Sequence, residues 1–257
     1  MRPKVVILCG GKGTRLREET ESKPKPLVTV GEMPILWHIM KHYSYYGFND
    51  FILCLGYKGE LIKEYFLNYK FRRWDIKLNL KDGIKYFLQD NKLENWNIYF
   101  VDTGLETNTG GRIKKIAKYI EEDYFFLTYG DGVSNINLQE LEDFFLKKGK
   151  IGVITGVKPE SKYGEILVDS GDIIAEFNEK PLLNNHINGG FCVFNKEIFN
   201  YMNENSILEK EVFRNLARDK ELALYKHEGF WKCMDTYKDC KELNKMWHSD
   251  NPPWQVF

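Results

Sequence analysis

A cluster of glycines directly after a short apolar run near the start of the chain constrains the fold more than any other stretch. Residues 5–8 are apolar and mostly β-branched, which predicts a buried strand, and residues 9–15 contain Gly10, Gly11 and Gly13. Glycine has no Cβ, so such a loop can approach a ligand closely and point successive N–H groups at an anion. The junction therefore predicts a phosphate site at the carboxyl end of the first strand of an open α/β sheet.

Two common phosphate-binding loops do not fit this junction. The spacing required for a Walker A loop is absent, and the dinucleotide fingerprint Gly-x-Gly-x-x-Gly matches at Gly11 and Gly13 but has Leu16 in place of the third glycine. Arg15 adds a planar fork of donors that suits phosphate oxygens. An ordinary glycine turn remains an alternative for the loop taken alone.

The stretch Lys23-Pro24-Lys25-Pro26 follows the glycine loop closely. Each proline fixes its own φ and restricts the residue before it, so the segment is predicted to be stiff and extended. Two ammonium groups on a stiff arm beside a glycine loop suit a polyphosphate. A solvated surface loop is the alternative.

Composition excludes several classes of protein. The 257 residues include 37 Lys plus Arg and 37 Asp plus Glu, and a net charge of zero argues against non-specific nucleic-acid binding. The five cysteines are scattered, without a Cys-x-x-Cys pair, which is typical of free thiols in a reducing compartment. Neither a signal peptide nor an apolar run of about eighteen residues is present, so we expect a cytoplasmic protein without a membrane partner.

Strand and helix patterns alternate through the first half of the chain, which predicts a parallel sheet. A helix is predicted to begin at Pro34 and end at Gly47, and the segment 75–95 reads as an excursion or an interface arm. After Gly149 strands follow one another with few helices, which predicts an antiparallel or mixed second half. The predicted strands are 5–8, 51–55, 98–101, 124–129, 151–157, 165–168, 173–177 and 190–194, and the later core helices are 198–202 and 212–217.

His38 and His42 lie four residues apart on the predicted helix. Such a pair can bind a metal, but no third ligand is evident, so packing in the core is the favoured interpretation.

Two aspartates at strand ends are candidate metal ligands. Asp131 lies between Gly130 and Gly132 after the strand 124–129, where it is exposed and suits a Mg²⁺ ion bridging phosphates. Asp235 follows a short strand and is the candidate second carboxylate. The alternatives are a turn aspartate for Asp131 and a helix cap for Asp235.

Three further clusters suggest ligand contacts. Thr109-Gly110-Gly111-Arg112 opens a helix and provides a second close approach of the backbone, or else a plain cap. Glu179-Lys180-Pro181 and Asn188-Gly189-Gly190 offer a carboxylate for sugar hydroxyl groups and an ammonium for a phosphate. A surface charge pair in a hairpin turn is the alternative for Glu179 and Lys180.

Together these stretches resemble the sugar-1-phosphate nucleotidylyltransferases, whose signature Gly-Gly-x-Gly-Thr-Arg-Leu is matched by residues 10–16 and is followed by the Lys-Pro loop. Within that superfamily the likeness is strongest to the cytidylyltransferases that act on glucose 1-phosphate, on Trp37-His38-Ile39-Met40 and Thr109-Gly110-Gly111-Arg112. The likeness runs over nearly the whole chain. It implies a Rossmann-like α/β fold, with a mixed, mainly parallel sheet flanked by helices and an added β-rich sugar-binding portion.

The resemblance also implies the reaction, which converts CTP and α-D-glucose 1-phosphate to CDP-glucose and pyrophosphate with Mg²⁺. The implied catalytic residues are Arg15, Lys25 and Asp131, and the implied metal ligands are Asp131 and Asp235. The implied nucleotide contacts are Leu8, Cys9, Gly10, Gly11, Gly13, Thr14, Arg15, Lys25, Thr107, Gly111, Arg112, Gly130 and Asp131. The implied sugar-phosphate contacts are Tyr129, Glu179, Lys180 and Asn188.

Cys9 stands where the family usually has alanine, and we expect its thiol to pack rather than react. Residues 1–257 are expected to form one nucleotidyltransferase domain, with 1–150 mainly binding the nucleotide and 151–257 mainly the sugar phosphate. We expect a homo-oligomer. The alternatives are the same fold with UTP, dTTP or another phosphorylated sugar or alcohol, a non-catalytic nucleotide-binding subunit, and, remotely, a nicotinamide dehydrogenase.

Overall fold

The computed structural model describes residues 2–83, 85–88, 93–161 and 163–257. Its strands are β1 (Val5–Cys9), β2 (Thr29–Val30), β3 (Met33–Pro34), β4 (Asp50–Leu55), β5 (Ile76–Leu78), β6 (Lys85–Phe87), β7 (Asn97–Asp102), β8 (Tyr124–Tyr129), β9 (Gly132–Ser134), β10 (Gly152–Val157), β11 (Glu165–Val168), β12 (Ile174–Asn178), β13 (Ile187–Asn195), β14 (Leu222–His227) and β15 (Trp231–Cys233). Its α-helices are α1 (Arg17–Thr20), α2 (Ile35–Tyr45), α3 (Gly59–Leu67), α4 (Tyr69–Arg73), α5 (Thr109–Ile116), α6 (Leu138–Lys148), α7 (Phe213–Arg218) and α8 (Tyr237–Trp247).

Seven of the strands in these ranges form one central sheet, in the order β14-β10-β13-β8-β1-β4-β7. Strand β13 is antiparallel to both of its neighbours, and the other neighbouring pairs are parallel. Apolar cores cover both faces of the sheet, which is why β1 is apolar and buried along its whole length. The prediction of a mixed, mainly parallel α/β sheet is confirmed.

The second half of the chain completes the same sheet. Strand β13 pairs with β8 from the first half and with β10 from the second, so the sheet is continuous across residue 150. Pairing of Val157 with Ile187 starts β13 three residues before the predicted 190–194. The predicted helix 198–202 is instead a 3₁₀ turn over Lys196–Tyr201, and a π turn over Leu208–Val212 precedes α7.

Two hairpins lie outside the central sheet. Strands β5 and β6 form one within the predicted 75–95 excursion, of which residues 84 and 89–92 lie outside the described residues. Strands β11 and β12 form the other, and every residue of β11 is exposed. Both hairpins carry large apolar side chains that are more than half exposed, such as Tyr86 and Ile166. No helix in the described ranges is both long and apolar enough to cross a bilayer.

His38 and His42 both pack inside the protein. The two side chains are buried on α2, and each Nε2 lies 2.9 Å from a backbone carbonyl oxygen, that of Val30 for His38 and that of Ile136 for His42. A ring nitrogen facing a carbonyl oxygen must donate, so both Nε2 atoms carry the proton. Burial lowers the pKa of both histidines from 6.5 to about 4. The packing interpretation is therefore the correct one.

These two histidines make stability depend on pH. Between pH 4 and 6.5 the unfolded chain binds protons that the folded chain excludes, so stability is full above pH 6.5 and is lost as the pH falls toward 4. We expect the free energy of unfolding in urea to fall by about 2 kcal/mol per histidine between pH 7 and pH 5. His42→Asn should remove roughly half of the combined loss from the two histidines. His248→Asn, at an exposed position, should leave that combined loss unchanged. Equal pH dependence in wild type and His42→Asn would contradict the assignment.

Candidate active site

A cavity of about 420 Å³ opens at the carboxyl ends of β1 and β8, the edge of the sheet where the sequence predicted a ligand. Of the predicted nucleotide contacts, those that line it are Leu8, Cys9, Gly10, Gly11, Gly13, Thr14, Arg15, Lys25, Thr107, Arg112, Gly130 and Asp131. Tyr129 and Asp235 line it as well. Residues that are more than 200 positions apart in sequence therefore meet around one space.

Lys25 is the centre of the charges in this cavity. Its Nζ donates to Asp131 Oδ2 at 2.6 Å and to Asp235 Oδ1 at 2.8 Å. Arg15 Nη1 donates to the other oxygen of Asp235 at 2.9 Å, and its side chain is 70% exposed. Lys25 is only 12% exposed, so its position is fixed by the fold, whereas Arg15 reaches in from the rim.

The glycine loop and the Lys-Pro segment are held against each other. Gly13 has φ of 62°, and Thr20 Oγ1 donates to its carbonyl oxygen at 3.1 Å. Pro24 starts the short 3₁₀ turn Lys25–Leu27, in which Leu27 N donates to the carbonyl oxygen of Pro24 at 2.8 Å. Lys25 points into the cavity, but the segment is not extended as predicted, because the chain turns as a 3₁₀ helix from Lys25 to Leu27 after the extended Pro24.

Opposite charges at short distance shift both partners toward their charged forms. Burial opposes the ionisation of Asp235, but its hydrogen bond to Lys25 and the nearby charges of Lys25 and Arg15 outweigh burial and lower its pKa. Burial likewise opposes the charge on Lys25, and Asp131 outweighs it and raises the pKa of the lysine. Lys25 and Asp235 therefore stabilise each other's charged form in the cavity.

The donor set fits a hard divalent cation. One ligand atom each from Asp131, Cys233 and Asp235 lies within 4.8 Å of the others. The carboxylate oxygens suit Mg²⁺, whereas burial raises the pKa of the Cys233 thiol, which is a poor Mg²⁺ ligand when protonated. The helix-cap alternative for Asp235 is wrong, because Thr236 caps α8 together with Asp239. Cys233 was missed by the sequence analysis, since nothing local connects it to Asp131.

Arg112 lies beneath the glycine loop and is 5% exposed. Its Nη1 donates to the carbonyl oxygen of Leu55 at 2.9 Å and to Thr103 Oγ1 at 2.6 Å. Its Nη2 donates to the carbonyl oxygens of Gly10 and Leu105, both at 3.1 Å. Both terminal nitrogens are thus committed to holding the loops around the cavity.

Gly111 and Cys9 serve packing. The N–H of Gly111 donates to the carbonyl oxygen of Ser206 at 3.0 Å, and a Cβ on Gly111 would overlap the carbonyl of Glu204. Gly111 does not line the cavity as described. Cys9 is 1% exposed and burial raises its pKa, as expected for a thiol that packs.

Glu209 joins the two walls of the cavity and was missed by the sequence analysis. Its Oε1 accepts from the Tyr129 hydroxyl at 2.5 Å and its Oε2 from Thr109 Oγ1 at 2.7 Å. Asn188 Nδ2 lies 3.4 Å from the same Tyr129 hydroxyl, so two of the predicted sugar-phosphate contacts meet here. Glu209 sits on the π turn, a rare conformation that is common at functional sites, but no residue pattern marks the turn in the sequence.

Glu179 and Lys180 lie away from this meeting point. Both are exposed just after β12, with Lys180 Nζ 3.9 Å from Glu179 Oε1, and neither lines the described cavity. Their role in binding a sugar phosphate therefore remains a prediction.

Comparison with known proteins gives concordant results. The nucleotidyl transferase family profile matches residues 4–248. The chain is 47% identical over 256 residues to a Bacillus subtilis (strain 168) protein named "Probable glucose-1-phosphate cytidylyltransferase", covering 99% of this chain and 100% of that one. It is 42% identical over 257 residues to the glucose-1-phosphate cytidylyltransferase of Salmonella typhi, covering 99% of both. The solved structure of HddC from Yersinia pseudotuberculosis has the same fold, with a TM-score of 0.70 at 22% identity over 96% of this chain and 100% of that one.

The packing of Arg112 against the loop gives a matched pair of test positions. A Cβ on Gly10 would overlap the guanidinium of Arg112, whereas one on Gly11 would have no neighbour within 4 Å. We expect Gly10→Ala to lower the free energy of unfolding by about 1–3 kcal/mol through overpacking, and Gly11→Ala to change it by less than about 0.5 kcal/mol. Urea unfolding measures both. Equal stability of the two variants would show that the guanidinium does not hold the loop.

Proposed function

We propose that this chain, which belongs to the nucleotidyl transferase family, makes CDP-glucose and pyrophosphate from CTP and α-D-glucose 1-phosphate. Within that family it belongs to the glucose-1-phosphate cytidylyltransferase branch. Nearly full-length identity of 42–47% to relatives named for this activity supports the proposal. The observation that carries it in the structure is the convergence of Asp131 and Asp235 on Lys25 beside the glycine loop.

The reaction needs positioning and neutralisation of charge more than bond-making groups on the protein. A phosphate oxygen of glucose 1-phosphate attacks the α-phosphorus of CTP in line, and pyrophosphate leaves from the opposite side. The attacking phosphate is already ionised at neutral pH, so no general base is needed. No covalent intermediate with the protein forms.

Each cationic side chain of the cavity has a proposed role. Arg15 holds the pyrophosphate portion from the rim, and Lys25 stabilises the charge that develops on the α-phosphate. The N–H groups of Gly11 and Gly13 face the triphosphate. Holding the two reactants in line lowers the activation free energy by on the order of 7 kcal/mol.

Asp131 and Asp235 would hold Mg²⁺. When bound, the cation offsets the repulsion between the two anionic substrates. Lys25 pairs with both carboxylates and Arg15 pairs with Asp235, and these cations lower the pKa of Asp235.

The sugar phosphate is proposed to bind against Tyr129 and Asn188, whose polar atoms lie 3.4 Å apart, with Glu179 and Lys180 supplying a carboxylate and an ammonium. Glu209 positions Tyr129 in this arrangement, because it accepts the only proton of the tyrosine hydroxyl. The hydroxyl is thereby left as an acceptor on the sugar side.

Assembly and domain organisation are proposed on the same lines as in the sequence analysis. We propose a homo-oligomer, supported by the exposed apolar side chains on the β5–β6 and β11–β12 hairpins. Residues 1–257 are proposed to act as one nucleotidyltransferase domain in the cytoplasm, with the nucleotide mainly on 1–150 and the sugar phosphate mainly on 151–257.

The roles of Lys25 and Asp131 are tested by truncation. Lys25→Ala and Asp131→Ala should each lower turnover roughly a hundredfold, the scale expected when one preorganised charge contact is lost. Lys12→Ala is the matched control, since Lys12 lies in the glycine loop beside the site, pairs with Glu106 at 2.6 Å and does not line the described cavity. Turnover is measured as CDP-glucose formed per second by purified, folded protein. Near-normal turnover of both site variants would refute the assignments.

The choice of substrates is tested by a panel. Pyrophosphate release is measured for the four NTPs and for dTTP with several sugar 1-phosphates, with Mg²⁺ and with EDTA, and products are identified by mass. We expect CTP with glucose 1-phosphate and Mg²⁺ to give the highest kcat/KM, and EDTA to abolish release. A higher kcat/KM with UTP or dTTP would favour the alternative specificity. Nucleotide binding without turnover on any pair would favour a non-catalytic subunit.

A further inference from the structure

The lining of the active-site cavity divides into a part with available cations and a part without them. Among the described residues, three cationic side chains line it, those of Arg15, Lys25 and Arg112. Both terminal nitrogens of Arg112 are used on oxygens of the surrounding loops. The phosphates of a nucleotide are therefore drawn to Arg15 and Lys25, which leaves the base for the rest of the lining. That lining includes Thr107, Asn108, Thr109, Ile207 and Glu209.

Cytosine and uracil differ along one edge of the ring, and this edge decides which side chain can tell them apart. Cytosine carries a 4-amino group, which donates hydrogen bonds, whereas uracil carries a carbonyl oxygen at the same position, which accepts them. A hydroxyl or an amide side chain can both donate and accept, so it can reorient to serve either base. An ionised carboxylate only accepts, so it favours the amino group and disfavours the carbonyl oxygen.

Glu209 is the carboxylate of the lining that is available for this task. Three carboxylates line the cavity within the described part of the chain, those of Asp131, Asp235 and Glu209. The two aspartates are paired with Lys25 beside the glycine loop. Glu209 forms no ion pair among residues 2–83, 85–88, 93–161 and 163–257.

The carboxylate of Glu209 has room for a further donor. Its Oε1 accepts from the Tyr129 hydroxyl at 2.5 Å and its Oε2 from Thr109 Oγ1 at 2.7 Å. A carboxylate offers about four acceptor sites, so each oxygen of Glu209 keeps one. The two hydrogen bonds also hold the group between the end of β8 and the start of α5.

The π turn that carries Glu209 is fastened to the helix start that the resemblance assigns to the nucleotide. The N–H of Gly111 donates to the carbonyl oxygen of Ser206, and the N–H of Leu208 donates to Thr109 Oγ1, both at 3.0 Å. Thr109 itself lies between two of the implied nucleotide contacts, Thr107 and Arg112. Glu209 is therefore held rigidly on the nucleotide side of the cavity, as a group that reads a base must be.

We propose that Glu209 accepts a hydrogen bond from the 4-amino group of cytosine and thereby selects CTP over UTP. This assignment rests on the proposed function and names the residue that chooses the base at the same site. Glu209 keeps its contact with Tyr129, because the two hydrogen bonds use different acceptor sites of the carboxylate.

The assignment is tested by the ratio of kcat/KM for CTP to kcat/KM for UTP, with glucose 1-phosphate and Mg²⁺. In Glu209→Gln this ratio should fall about tenfold to a hundredfold, because the amide can donate to the uracil oxygen. Glu211→Gln is the matched control and should keep the wild-type ratio, since Glu211 lies on the same turn, accepts from the N–H of Ile207 at 3.0 Å and does not line the described cavity.

The failures of the two proposals are distinguishable in this assay. A wild type that prefers CTP, with an unchanged ratio in Glu209→Gln, would overturn the role of Glu209 alone. A wild type that prefers UTP would overturn the proposed substrate. An equal fall of the ratio in Glu211→Gln would also overturn the role of Glu209, by attributing selectivity to the shape of the turn.

Tyr129→Phe separates the reading of the base from the positioning of the tyrosine. It removes the hydroxyl that Glu209 holds, so it should lower kcat/KM by the same factor with both nucleotides and leave their ratio unchanged. A fall of the ratio as large as that in Glu209→Gln would instead assign the selectivity to Tyr129.

Binding without turnover gives a second readout. CTP is compared by equilibrium dialysis with the 5′-triphosphate of pyrimidin-2-one riboside, which has hydrogen in place of the 4-amino group. Wild type should bind CTP at least about tenfold more tightly, whereas Glu209→Ala should bind the two with nearly equal affinity. Glu209 is exposed, so its variants should fold. Equal affinities in wild type, or a preference that persists in Glu209→Ala, would overturn the assignment.

Discussion

One buried guanidinium joins the carboxyl ends of three strands, and the floor of the active site depends on it. Arg112 donates to Gly10 just after β1, to Leu55 at the end of β4 and to Thr103 just after β7. A buried charge is costly unless its donors are all used, and burial lowers the pKa of Arg112 accordingly. The guanidinium serves four acceptors, more than the three donors of a lysine ammonium can satisfy, so lysine is not an equivalent. Gly10 has no side chain because the guanidinium occupies that space.

The sequence correctly predicted those structural features that depend only on residues close together in the chain. Buried strands that end in glycine, the stiff prolines around Lys25 and the helix after Pro34 all depend on neighbours within a few positions, and the structure contains each of them. The family signature added the pairing of Asp131 with Asp235, which are 104 positions apart and which no local pattern connects. The structure brings both carboxylates to one cavity, where each accepts a hydrogen bond from Lys25.

The sequence could not predict features that arise only when distant segments pack together. Thr109 and Arg112 of the Thr109-Gly110-Gly111-Arg112 stretch line the cavity, whereas Gly111 packs on residue 204. The terminal nitrogens of Arg112 donate to main-chain oxygens and to Thr103 Oγ1, contacts that no local pattern predicts. Glu209 was overlooked because its importance comes from meeting Tyr129, 80 positions away. Glu179 and Lys180 were predicted to bind the sugar phosphate from their residue types, and in the structure they are exposed just after β12.

The charges around Lys25 connect the binding of nucleotide with the binding of a cation. In the cluster formed by Arg15, Lys25, Asp131 and Asp235, two cations balance two carboxylates, and both cations are already paired. A triphosphate that recruits those two cations leaves Asp131 and Asp235 facing each other across less than 4.8 Å without compensation. In a partly buried site that repulsion is several times stronger than in water. Binding of the triphosphate therefore removes the two cations that neutralise the carboxylates. A divalent ion between the carboxylates would restore the balance of charge.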